Sequence, residues 1–203
     1  GRIPEAAAAR PTMAGKEWQA SQADKYEFCS WPELQAINKS GIIDLQAHSF
    51  SHSTIFCDST ITGFVTPDYH PHIHLRPLLN EMNAYAYVSG IDLGCPLYAQ
   101  RSRLSDALRF FEPAASRHRC VEFVRKEGGE AFFAQPDWKE VLKKTAWEGS
   151  GRFESPDEQR LAIREELVKA RETLTSRLGG HEVNQMCFPF TICGEKAEAL
   201  LCE

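Results

Sequence analysis

The stretch from Ser155 to Gly180 constrains this chain more than any other. Ser155 stands three residues before Glu158, the spacing of a capping box, and Pro156 falls at the first helical position, where proline is best tolerated. Ile163, Leu167, Ala170, Leu174 and Leu178 then recur at helical spacing as one apolar stripe, with Arg and Glu on the other faces. Gly179-Gly180 ends the pattern. The spacing predicts a helix from about Pro156 to Leu178, then a strand over Val183 to Phe190 and a last helix over Glu195 to Leu201.

A related unit lies upstream. Trp31 to Ser40 reads as a helix that Ser30 can cap, with Pro32 and Glu33 in its first turn and Gly41 as its stop. Ile42 to Ala47 reads as a short strand running into His48. Helix, glycine, strand and then a polar cluster at the strand's end is the order of an α/β protein. Residues 1–30, rich in Ala, Pro and polar side chains, read as loop with at most one short helix. Between the two units, 58–82 carries Pro67, Pro71 and Pro77 and reads as loop. Asn83 to Ser89 reads as a strand. Arg117 to Lys126 and Trp138 to Trp147 read as helices.

The 203 residues suffice for one ordinary domain, and 42% apolar with 25% charged residues is the balance of a globular protein. A formal net charge of -5, without a Lys/Arg cluster, argues against a nucleic-acid partner. No apolar run is long enough to predict a transmembrane segment. Seven cysteines, an odd number without a CxxC pair, fit neither a zinc ribbon nor a full disulfide framework. Cysteine usage therefore points to a reduced, cytoplasmic setting. The start at Gly1 and the stop just after a predicted helix give the chain the look of a piece of something longer.

The chemistry concentrates in Asp44-Leu45-Gln46-Ala47-His48-Ser49-Phe50-Ser51-His52. Two histidines four apart at the mouth of a strand can point at one ion if the chain turns helically after the first, and neutral imidazole is a good ligand for zinc and related divalent metals. By itself the spacing also suits two ordinary histidines, one capping a helix and one exposed. In context, His48, Ser49 and His52 match the H-[ST]-x-x-H second motif of the polysaccharide deacetylase family (carbohydrate esterase family 4), and the preceding Trp-Pro-Glu-Leu helix with its glycine is similar as well. Cys187-Phe188-Pro189-Phe190 resembles the family's third motif, R-x-P-Y, with Cys187 where arginine often stands and Phe190 in place of tyrosine.

What the resemblance implies follows from those two motifs. His48 and His52 would bind a divalent metal, zinc by preference. Pro189 and Phe190 would wall the substrate groove, and the Phe190 backbone N–H would be the oxyanion donor. The substrate would be an N-acetylated polysaccharide or amino sugar, losing its acetyl group by hydrolysis. The family's Asp-Asp strand end and its late Leu-x-His motif have no counterpart, so the third ligand, the base and the acid are expected outside these residues. The fold implied is a distorted (β/α) barrel, incomplete in this chain, as a single domain over 1–203 with an insertion at about 57–154. Such enzymes act at the cell envelope or are secreted, against the cytoplasmic pull of the cysteines.

Two alternatives stay open. One is a catalytically incomplete glycan-binding or structural module on the same scaffold. The other is an unrelated metal-dependent hydrolase in which His70, His72 and His74 join the site. Arg101 and Arg103 could meet an acidic sugar; Tyr85, Tyr87, Trp138 and Trp147 could stack on sugar rings or pack in the core.

Overall fold

A computed structural model of the protein describes residues 29–70, 77–79, 86–90, 92–146 and 151–202. The elements run α1 (Trp31–Ser40), β1 (Thr54–Phe64), β2 (Pro96–Ser102), β3 (Phe110–Phe111), α2 (Ala114–Lys126), α3 (Trp138–Thr145), β4 (Arg152–Phe153), α4 (Pro156–Arg177) and α5 (Glu195–Leu201). Short 3-10 turns cover Gly129–Ala134 and Pro189–Thr191. Among the described residues the strands form two antiparallel pairs, β1 with β2 and β3 with β4, and no closed barrel. No described helix is long and apolar enough to cross a membrane.

The helices follow their local chemistry. In α4 the Ser155 hydroxyl accepts the Glu158 N–H at 3.1 Å and the Glu158 carboxylate accepts the Ser155 N–H at 2.7 Å. Its buried stripe is Gln159, Ile163, Glu166, Leu167 and Ala170, so two polar residues share the face predicted from the aliphatic ones. At α1 the Glu33 carboxylate reaches back to the Ser30 N–H at 2.7 Å, and Gly41, at φ 67°, makes the left-handed closing turn that glycine adopts without strain. The start of α5 is capped from a distance: Asp106 accepts the N–H groups of Glu195 and Lys196 at 3.0 and 3.3 Å. Gly194 permits that approach, since a Cβ there would lie 2.7 Å from both Asp106 Oδ1 and the Ser105 backbone.

The strands depart from the sequence reading. Of the expected strand at Ile42 to Ala47, only Ala47 pairs, in a one-residue parallel bridge to Met186. Ile42 and Ile43 are 87% and 53% exposed, so apolar character without a covering layer did not make a strand there. The same bridge is all the regular pairing in Val183 to Phe190. Conversely β1 occupies Thr54–Phe64, partly within the stretch read as loop. Its register slips between Phe56 and Ile61 and again before Gly63, which breaks the alternation that would have marked it. Of the expected strand at 83–89, residues 83–85 lie outside the described residues and Tyr87 bridges Leu78.

Two apolar clusters fill the middle of the chain. Phe56, Val65, Val88, Tyr98 and Phe110 form one cluster about the β1–β2 pair, and Phe64, Cys120, Val124, Phe132 and Leu142 join β1 to α2 and α3. Two smaller clusters serve the flanking stretches: Leu104, Ile163, Leu167, Ala197 and Leu200 join α4 to α5, and Ala47, Ala170 and Val183 seat the bridge on α4.

Candidate metal centre

Two irregular segments, 44–52 and 181–191, build the site by pairing with each other. The Ala47 N–H donates to the Gln185 carbonyl at 3.3 Å and the Cys187 N–H to the Ala47 carbonyl at 3.0 Å. The Gln46 side chain extends the pairing, its Oε1 accepting from the N–H groups of Asn184 and Gln185 at 3.1 and 2.9 Å. Its Nε2 donates to both oxygens of Asp44. His181 closes the far end: its Nε2 lies 2.6 Å from the Leu45 carbonyl, which can only accept, so that nitrogen carries the proton.

His48 leaves this zipper at its open end. Its Nδ1 stands 2.8 Å from the Cys187 carbonyl. A carbonyl has no proton to give, so Nδ1 donates and the lone pair of the neutral ring is on Nε2. Metal-binding histidines are commonly oriented this way, one nitrogen held by a backbone oxygen and the other turned to the ion. The His52 ring centre lies 5.0 Å from that of His48, tilted by 41°. On its other side, His52 meets Phe190 edge-on at 4.7 Å and 70°. Tertiary contact brings His48, His52 and Phe190 together; Phe190 is half-buried, whereas Pro189 is buried and does not offer its side chain as a groove wall.

The backbone here is held in an uncommon form. Among the described residues, the non-glycine residues with positive φ are Ser49 (66°), His52 (52°), Phe190 (60°) and Thr191 (56°). All four belong to the two meeting loops. Such left-handed positions cost about 1–3 kcal/mol each and gather where surrounding contacts over-determine them. Part of the compensation is local: the Ser49 hydroxyl accepts the His52 N–H at 3.0 Å, which closes the turn between the two histidines. Part is distant. Glu166, on the buried stripe of α4, accepts from the Ser51 N–H at 2.9 Å and from the Ser51 hydroxyl at 2.7 Å.

His48 and His52 set two imidazoles side by side, a residue type that suits a divalent metal. Among the described residues no group of three His, Cys, Asp or Glu side chains is placed to hold one. A groove of about 490 Å³ runs between α4, α5 and 183–186, but neither histidine lines it, and His48 is exposed. Compared with known proteins, the chain matches no family model, no curated protein and no solved structure.

The remaining sequence candidates fall elsewhere. His70 is exposed, while His72 and His74 lie outside the described residues. Arg103 is not available to a sugar: it is 4% exposed and forms a two-bond ion pair with Glu154 at 2.9 and 2.8 Å. Arg101 is exposed. Trp138 packs edge-on against Phe133 and Phe64, a core role, and Tyr85 and Trp147 lie outside the described residues. Sequence reasoning missed Gln46, His181 and Glu166. Glu166 carried a signal, since its spacing from Ile163 and Ala170 puts a carboxylate on an otherwise buried face.

Proposed function

We propose that this chain is part of a metal-dependent hydrolase of the polysaccharide deacetylase type, in which His48 and His52 hold a divalent cation, zinc by preference. The observation that carries the reading is the disposition of His48: its Nδ1 is tied to the Cys187 carbonyl, its Nε2 lone pair is open, and the His52 ring is 5.0 Å away. When bound, the cation supplies Lewis acidity toward water and toward an acetamide carbonyl. The carboxylate that completes the ligand set, and the general base, come from outside the described residues. The barrel implied by the resemblance belongs to the same proposal, and the parallel bridge between Ala47 and Met186 is the kind of pairing it requires.

The chain's own residues do the rest. The two imidazoles would hold the cation beside the half-buried Phe190, whose ring meets that of His52. The Phe190 ring stands edge-on beside His52, and the Phe190 backbone N–H would be the donor for the developing oxyanion. An N-acetyl group on a sugar polymer suits an open rim, because a chain of sugars has to lie across the surface rather than enter a closed cavity.

The test is metal stoichiometry and affinity of the purified protein beside His48→Ala and His52→Ala. Roughly one ion per chain, lost in both variants, supports the reading and justifies assaying release of acetate from N-acetylated oligosaccharides. Metal that ignores both substitutions, or none at all in the parent, removes it and leaves a glycan-binding module on this scaffold in front.

A further inference from the structure

The loop between His48 and His52 has no regular secondary structure, and its shape depends on a residue far away in the chain. Glu166 is 7% exposed on α4, and both of its carboxylate oxygens are engaged by Ser51, the residue just before His52. The Ser51 hydroxyl is also 2.8 Å from the Ser53 hydroxyl. A hydroxyl has one proton to give, and the carboxylate can only accept, so Ser51 donates to Glu166 and receives from Ser53. Ser51 is thereby held at two atoms, backbone and side chain, on a rigid helix. His52 follows with its left-handed φ of 52°.

We propose that Glu166 is a positioning residue for the His48–His52 pair. Its two-point grip on Ser51 sets the turn at His52, and so the separation and tilt of the two imidazoles. The link is geometric: both carboxylate oxygens of Glu166 engage Ser51, and the effect passes through this residue of the loop. Glu166 gives the loop direction from the face of α4 that Ile163 and Ala170 bury, so the helix that packs the core also aims the histidines. The consequence for metal affinity rests on the function proposed above; the consequence for ring geometry does not.

The experiment follows both quantities in the parent protein, Glu166→Gln, Ser51→Ala and Ile163→Val. Glutamine keeps the size of Glu166 and one acceptor oxygen, and Ser51→Ala approaches the same contact from the loop. Ile163→Val loosens the same helix face without touching the loop, and so controls for stability alone. Zinc affinity is read by calorimetry, and the His48 and His52 ring nitrogens and carbons by NMR without metal. In Glu166→Gln and Ser51→Ala the His52 ring signals shift and zinc binds about 10–100-fold more weakly. Ile163→Val changes neither, and combining the two substitutions adds little, because they remove one interaction. Ring signals of Glu166→Gln that overlay on the parent's overturn the proposal. Should the parent bind no zinc, the metal reading falls while the ring signals still decide on Glu166.

Discussion

In the middle of the chain, Phe56, Phe64, Phe110 and Phe132 are each no more than 5% exposed and belong to the two clusters around β1, β2 and α2. In the stretches that carry His48 and His52, buried apolar residues are fewer and mostly aliphatic. There the join between 44–48 and 181–187 is made by backbone bonds and by the side chains of Gln46 and His181. Burying one large apolar side chain contributes about 1.5–3 kcal/mol, whereas a net hydrogen bond contributes about 0.5–1.5 kcal/mol. Each buried ring in the middle of the chain therefore contributes more than each hydrogen bond that joins the two loops of the site half. The site half trades cohesion for direction, because apolar contact is non-directional and hydrogen bonds can aim a ring.

The contact between the halves is made by 102–107 and its partners. Leu104 enters the cluster of Ile163 and Leu200, the Ala107 carbonyl accepts from Gln159 Nε2, and Asp106 caps α5. Residues 102–107 thus tie the helices of the site half to the β1–β2 pair, beside the direct run of the chain from His52 into β1.

The largest expected effect that tests this contrast is Phe132→Ala. Loss of this fully buried ring should cost about 3–5 kcal/mol, read as the shift in a urea unfolding curve. A loss near that of a single hydrogen bond would break the comparison. Next is Gly194→Ala at the joint. Its methyl would collide with Asp106 and the Ser105 backbone, an overpacking worth about 1–3 kcal/mol, and amide exchange should quicken in α5 before it does in β1. Equal acceleration in both would show that the halves open together.

Ser155→Ala removes one side of the capping box of α4 and should cost about 1 kcal/mol, measured by thermal unfolding. The smallest effect is acid-dependent. Arg152, with help from the Ser155 N–H, holds the Glu158 carboxyl at about 2, below its ordinary 4.5. A carboxyl lowered by folding favours the folded state above its ordinary value, and that contribution is lost as pH falls toward 2. Helical signal from α4 should decline across that window, and less so in Glu158→Gln. Because the pair is exposed, added salt should shrink the difference. A thiol count sharpens the same contrast: burial pushes Cys95 up, and Cys120 up to about 11, so both should resist labelling in the folded protein. Cys187 and Cys202, in the site half, are exposed and should label quickly.

The amino-acid sequence alone determined the helices. Trp31–Ser40 and Glu195–Leu201 form where they were expected, and α4 follows its capping box and stripe, because caps and helical periodicity act within a few residues. The helical turn on which the pairing of His48 with His52 was expected to depend is absent; a loop with left-handed Ser49 and His52 takes its place. Tertiary structure decided what no local pattern carries. β1 exists because β2 lies beside it, despite slips that erase its alternation. Ile42 and Ile43 stay exposed because no layer covers them. Phe190 meets His52, and Glu166 holds Ser51 across 115 residues of sequence, because the chain's return brings those atoms within bonding distance. Hydrogen bonds and ring contacts depend on angstrom-scale position, which a residue's neighbours in sequence do not fix.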